Sequence, residues 1–174
     1  MKVLVTGGVR SGKSAHAEGL LDGEENVTYV APGDVPDPDH DPEWAARVAA
    51  HQLRRPASWA TLETRDLAAV PSDGPLLLDS LGTWVTGVVD EAGLWDAPGS
   101  QVLEHVMALL DPFVAGVRAR AGTVVLVSEE VGLGGVAEHR SGRLFADVIG
   151  TVNQRLAEVC DEVHLVVAGR VLRL

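Results

Sequence analysis

One cysteine, Cys160, stands in a chain of 174 residues, so no intrachain disulfide can staple it. Aromatic residues are also scarce, with four tryptophans, two phenylalanines and one tyrosine. Basic residues number 14 against 25 acidic ones, giving a formal net charge of −11. Such a balance argues against a nucleic-acid or anionic-membrane partner unless basic residues cluster locally, and only Arg54 and Arg55 do so. No apolar run approaches the roughly 20 residues of a membrane span. The six histidines show no HxxxH or cysteine-paired spacing of the kind that binds zinc. There is no Asn-Lys-x-Asp motif for reading guanine, no internal repeat and no low-complexity linker. The N-terminus enters an apolar strand directly, without the basic segment and apolar run of about 7–15 residues that mark a signal peptide. A reducing cytoplasm is the expected address.

The 46% hydrophobic content supports an ample core, and one domain spanning 1–174 is expected. Apolar runs at Val3–Val5, Val27–Ala31, Leu76–Leu78, Val124–Val127 and Val163–Val167 read as strands. Helical patterns separate most of them, at Ser14–Gly23, Glu43–Arg54, Ser100–Arg120 and Ser141–Glu158. Pro112 is expected to break or kink the third. Alternating strands and helices imply a mainly parallel sheet with helices on its faces. VHLVVAGRVLRL, with Gly169 and Arg170 between two apolar runs, reads as a terminal hairpin. The loop after Pro32 is rich in proline and aspartate. Counted from Asp37 it has Pro42 and Val48 where a calcium loop needs Gly and Glu, so it reads as a solvated loop.

The most specific local signal is Gly7 to Ser14, GGVRSGKS, a complete GxxxxGK[ST] phosphate loop. Its residues are Gly7, Gly8, Val9, Arg10, Ser11, Gly12, Lys13 and Ser14. It follows the strand KVLVT and precedes a helical stretch, so backbone N–H groups can converge on phosphate oxygens. Lys13 would reach the β- and γ-phosphates and Ser14 would hold Mg²⁺. Asp79, ending the strand LLLD, stands where such enzymes place the carboxylate that holds Mg²⁺. The alternative for Asp79 is a helix cap. The fold class expected is α/β: a single-domain, three-layer phosphate-loop NTPase-like (RecA-like) fold, mainly parallel with a C-terminal β-hairpin.

His51 lies in an alanine-rich helical run. Neutral imidazole is a competent nucleophile near neutral pH and could attack phosphorus. The competing reading is a surface or packed histidine.

Taken in order, GGVRSGKS, AARVAAHQLRRPASWATLE, LLLDSLGTWVT and the long segment from Val127 to Gly169 resemble the bifunctional adenosylcobinamide kinase / adenosylcobinamide-phosphate guanylyltransferase family of cobalamin biosynthesis. The spacing R-x3-H-x3-RP-x2-W-x-T-x-E, here Arg47, His51, Arg55, Pro56, Trp59, Thr61 and Glu63, is its most specific part. The resemblance implies phosphorylation of adenosylcobinamide with ATP or GTP, then GMP transfer from GTP to adenosylcobinamide phosphate. His51 would form a guanylyl-histidine intermediate. Ala31, Pro32, Gly33, Gln52, Leu53, Arg54 and Arg55 would line the nucleotide pocket, with Glu63 a candidate for the guanine base or merely a strand-end carboxylate. A homotrimer is also implied.

The chain departs from the family pattern at Pro32, Gly82, Thr83, Gly87, Glu129 and Ala137. Glu129 adds negative charge where the family has Asn. A phosphate-loop kinase without guanylyl transfer and a non-catalytic nucleotide-binding relative remain competing readings.

Overall fold

In the computed structural model, residues 1–34, 37 and 39–174 are described, with the backbone alone for Trp44, Arg47 and His51. Seven strands form one sheet: β1 (Lys2–Gly7), β2 (Thr28–Ala31), β3 (Ala60–Glu63), β4 (Leu76–Asp79), β5 (Val124–Glu129), β6 (Glu162–Val167) and β7 (Arg170–Arg173). Their order is β3-β2-β4-β5-β1-β6-β7, and every neighbouring pair is parallel except β6 with β7. The helices are α1 (Lys13–Gly19), α2 (Pro42–Arg54), α3 (Leu81–Glu91), α4 (Gly99–Ala119) and α5 (Arg140–Ala157).

The central strands read as unbroken apolar runs because both of their faces are covered. Successive side chains alternate between two cores. Leu4, Leu76, Leu78, Val124 and Leu126 pack with α3, α4 and α5, while Val3, Val5, Leu77, Val125 and Val127 pack with Ala17 of α1 and with Leu21 and Trp59. Three layers result. Leu144, Val148, Ile149, Val152 and Leu156 form the buried stripe of α5, as the sequence periodicity requires.

Two expectations are corrected. Of the break or kink expected at Pro112, the break does not occur, since α4 runs 21 residues through it. Pro112 and Ala108, whose carbonyl loses its helical donor, both lie on the exposed side, so water can take the missing bond. Meanwhile Val106, Leu110, Phe113, Val114 and Val117 keep one continuous buried stripe across the proline. The helix after the phosphate loop stops at Gly19 instead of Gly23, and the chain leaves through a turn in which Gly23 has φ 84°. Strand β3 was not among the apolar runs read as strands, although one reading of Glu63 put that residue at a strand end. Its four residues, ATLE, are mostly exposed at the sheet edge, so it carries no apolar run.

The terminal hairpin turns through Ala168 and Gly169, with φ 49° and 73°. Positive φ at both central residues suits a two-residue hairpin, whose twist it matches. The Gly169 N–H donates to the Ser11 carbonyl at 2.8 Å, tying the hairpin to the phosphate loop.

Cys160 follows α5, partly buried against the core of α3 to α5. Burial, with a lesser contribution from Asp161, pushes its thiol up to about 12. Thiolate is the reactive form, so Ellman's reagent at pH 8 is expected to label native protein far more slowly than urea-unfolded protein. Equal rates would show that the thiol is not shielded.

Candidate nucleotide and phosphate-transfer site

Parallel strands present their carboxyl ends on one edge, and ligands of open α/β sheets bind there. Three neighbouring strands place β1 Gly7 beside β5 Glu129, while Asp79 of β4 pairs with Val127 of β5. The phosphate loop, Asp79 and Glu129 are therefore gathered by sheet register alone.

The loop is held from several sides. The Ser11 N–H donates to the Gly8 carbonyl at 3.2 Å, and the Lys13 N–H to Ser11 Oγ at 3.3 Å. Arg10 and Gly12 both have positive φ, 57° and 95°, which turns the chain tightly into α1. A Cβ on Gly7 would sit 2.5 Å from Ser11 Oγ and 2.6 Å from the Val166 carbonyl, so the first position admits no side chain. Lys13 Nζ reaches back to the Gly8 carbonyl at 3.4 Å and lies 3.8 Å from Glu129 Oε1.

A cavity of about 610 Å³ opens over the loop. Of the expected residues, Val9, Arg10, Ser11, Gly12, Lys13, Ser14, Ala31, Gly33, Arg54, Arg55, Glu63 and Asp79 line it. Gly7, Gly8, Pro32, Gln52 and Leu53 are not among its lining residues. Gly7 ends β1, Gly8 supplies a carbonyl to the loop, and Gln52 and Leu53 are exposed. Pro32 is buried, and its carbonyl accepts from Arg65 Nε at 3.1 Å.

Helix α2 contributes Val48, Ala50 and Arg54 to the wall, and Arg55 follows it. The turn carrying His51 thus borders the cavity. The side chains of His51 and Arg47 lie outside the described residues. Other members of the same spacing fasten this helix to the sheet edge. Arg55 stacks 3.8 Å over the Tyr29 ring and donates to Thr61 Oγ1 at 3.0 Å, and Trp59 is buried in the core on the α1 side. Arg54 makes a forked ion pair with Glu18 of α1, at 3.0 and 3.1 Å. Such a planar fork fixes orientation as well as charge.

Asp79 does not cap α3. Ser80 is the cap, its Oγ accepting from the Thr83 N–H at 3.4 Å. Asp79 instead lines the cavity and accepts from the Tyr29 hydroxyl at 3.3 Å. Burial, and then the Asp79 charge, hold the Tyr29 hydroxyl well above its ordinary range, so it stays a donor. Tyr29, Asp34, Ser80 and Thr83 join the wall without having been singled out as pocket residues. Tyr29 had a signal, being the chain's single tyrosine within an apolar strand run.

The family model for cobinamide kinase / cobinamide phosphate guanyltransferase matches residues 3–174. The chain belongs to that family. It is 40% identical over 182 residues to the bifunctional adenosylcobalamin biosynthesis protein CobU of Salmonella typhimurium, covering 97% of both chains. Identity to the Escherichia coli protein of the same name is 36% over 181 residues, again covering 97% of each. Among solved structures, a prototypical ATPase from the type III secretion system of pathogenic bacteria superposes with TM-score 0.53 and 10% identity. That match covers 94% of this chain and 50% of the ATPase, and it bears on the fold alone. Among the described residues, no helix of the family member is long and apolar enough to cross a membrane.

Proposed function

We propose that residues 1–174 form one nucleotide-binding domain that works in two steps. It first phosphorylates the hydroxyl of adenosylcobinamide with ATP or GTP, then transfers GMP from GTP to the resulting phosphate. The observation that carries this reading is a single cavity bordered by both the phosphate loop and the turn of α2 that carries His51. Membership of the family supports both activities.

In the first step the loop amides and Lys13 hold the transferred phosphoryl group while the acceptor oxygen attacks it. In the second, the His51 imidazole attacks the α-phosphorus of GTP and pyrophosphate leaves. The oxygen of adenosylcobinamide phosphate then displaces His51, giving adenosyl-GDP-cobinamide. Arg54, Arg55 and Glu63 are assigned to the nucleotide, Glu63 as an acceptor for guanine N–H groups.

Mg²⁺ fits the residues present. Ser14 and Asp79 offer hard oxygen donors in the same cavity, and among the described residues no cluster of three or more His, Cys, Asp or Glu could hold a metal ion. One or two protein oxygens plus substrate phosphates and water is how Mg²⁺ is usually held. When bound it would spread the charge that develops on the phosphates. The cytoplasm, where ATP and GTP are abundant, is the proposed setting. A homotrimer is the proposed assembly, and exposed Leu53, Leu133 and Val136 leave apolar surface that an assembly could cover.

Intact mass after incubation with GTP and Mg²⁺, without corrinoid, tests the reading. Wild-type protein is expected to gain one GMP, acid-labile and mapping to the peptide that contains His51. Binding of GTP with no adduct would remove the covalent step and favour a kinase alone.

A further inference from the structure

Glu129 ends β5 beside the phosphate loop, and the local sequence is built around its carboxylate. Its Oε2 accepts the Gly82 N–H at 2.8 Å. A Cβ on residue 82 would overlap that same oxygen, so the glycine makes room for the carboxylate as well as bonding to it. The other oxygen, Oε1, lies 3.8 Å from Lys13 Nζ, within ion-pair range but beyond a hydrogen bond. Asn153 Nδ2 donates to the Glu129 carbonyl at 3.2 Å and fixes the backbone there. One carboxylate oxygen is thus anchored, and the other remains available next to the ammonium that holds the transferred phosphoryl group.

A second cavity, of about 310 Å³, lies against α3. Thr83, Thr86, Asp90 and Phe145 help to line it, and Glu129, Thr83 and Asp34 border both cavities. Glu129 therefore stands where an acceptor entering from the second cavity meets a phosphoryl group held in the first. The other carboxylates that line the two cavities have engagements of their own, Glu63 being assigned to the guanine base. Asp34 is paired with Arg65, Asp90 accepts from Trp95 Nε1, and Asp79 accepts from Tyr29 and is assigned to the cation.

We propose that Glu129 is the general base of the phosphorylation step, with the second cavity seating the alcohol. This rests on the kinase reading above. The acceptor oxygen forms a bond to the γ-phosphorus, the bond from that phosphorus to the β,γ-bridging oxygen breaks, ADP leaves, and the hydroxyl proton passes to Glu129 Oε1 and then to solvent. GMP transfer makes no such demand, because its acceptor is a phosphate oxygen that carries no proton to remove. The two half-reactions of one enzyme consequently depend on Glu129 to different degrees.

The test measures both half-reactions in the full chain, phosphorylation with ATP and adenosylcobinamide, and GMP transfer with GTP and adenosylcobinamide phosphate. Glu129→Gln is expected to lower kcat of phosphorylation on the order of 10²–10⁴-fold, the usual yield of a positioned base. GMP transfer should fall at least tenfold less. Gly82→Ala keeps the carboxylate but displaces it, and should show the same bias with a smaller loss, which serves if Glu129→Gln does not fold. Equal losses in both reactions would mean that Glu129 only positions Lys13, which overturns the proposal, as would a kinase loss under about threefold. Wild-type protein that transfers GMP but never phosphorylates the alcohol would instead overturn the kinase reading itself.

Discussion

Lys13→Ala is expected to lower phosphorylation and GMP transfer alike, each on the order of 10³-fold. The structure holds one phosphate loop among its described residues, and one cavity of about 610 Å³ opens over it. On the proposed reading both donors, ATP or GTP in the first step and GTP in the second, present their phosphates to the same ammonium. Removing one positioned donor to developing negative charge costs about 10²–10³-fold, and removing a full positive charge at a transferring phosphoryl group costs about 10³–10⁵-fold. The Lys13 side chain is mostly shielded from solvent, which keeps its field strong at the phosphates. Its deletion also leaves Glu129 facing the phosphates without a countercharge, so nucleotide affinity should fall together with kcat. Separate steady-state assays of the two half-reactions check this. A variant that loses one activity and keeps the other would show that the two nucleotides do not share the loop.

The sequence carried what is local. A phosphate loop is a contiguous string whose backbone geometry its own glycines enforce, so Gly7 to Ser14 could be read directly, and Gly12 does adopt positive φ. The central strands were legible because burial on both faces leaves uninterrupted apolar runs. Strand β3 was not, since an exposed edge strand of four residues needs only Leu62 to face inward. Pro112 misled for a related reason: the cost of a helical proline depends on whether the freed carbonyl can reach water, and that is a property of tertiary burial.

The site divides along the same line. Lys13, Ser14 and Asp79 follow from motif and strand end. The Gly82 to Glu129 bond spans 47 residues, and the stacking of Arg55 on Tyr29 joins the end of α2 to a strand. Neither pairing is written in any local pattern. Gly82 and Glu129 looked like two separate departures from the family pattern. The packing of α3 against the end of β5 turns them into one, a carboxylate and the gap that admits it.

His51→Ala carries the other large effect, and its size follows from what replaces a lost nucleophile. In the proposed scheme the imidazole of residue 51 splits GMP transfer into two displacements, pyrophosphate leaving first and the imidazole being displaced second. Without it, adenosylcobinamide phosphate must attack GTP directly. Two multiply charged anions then repel each other in a cavity whose cations are Arg10, Lys13, Arg54 and Arg55, with Lys13 beside Glu129 and Arg54 paired with Glu18. Loss of a covalent nucleophile is worth on the order of 10⁴–10⁶ in kcat, and that is the expected fall in GMP transfer. The GMP adduct should vanish with it, while phosphorylation, in which no nitrogen attacks phosphorus, falls by a far smaller factor. The contrast with Lys13→Ala is the informative part, because one substitution should strike both half-reactions and the other mainly one. If His51→Ala kept GMP transfer within about tenfold of wild type, transfer would have to be direct, and His51 would be a residue of the wall.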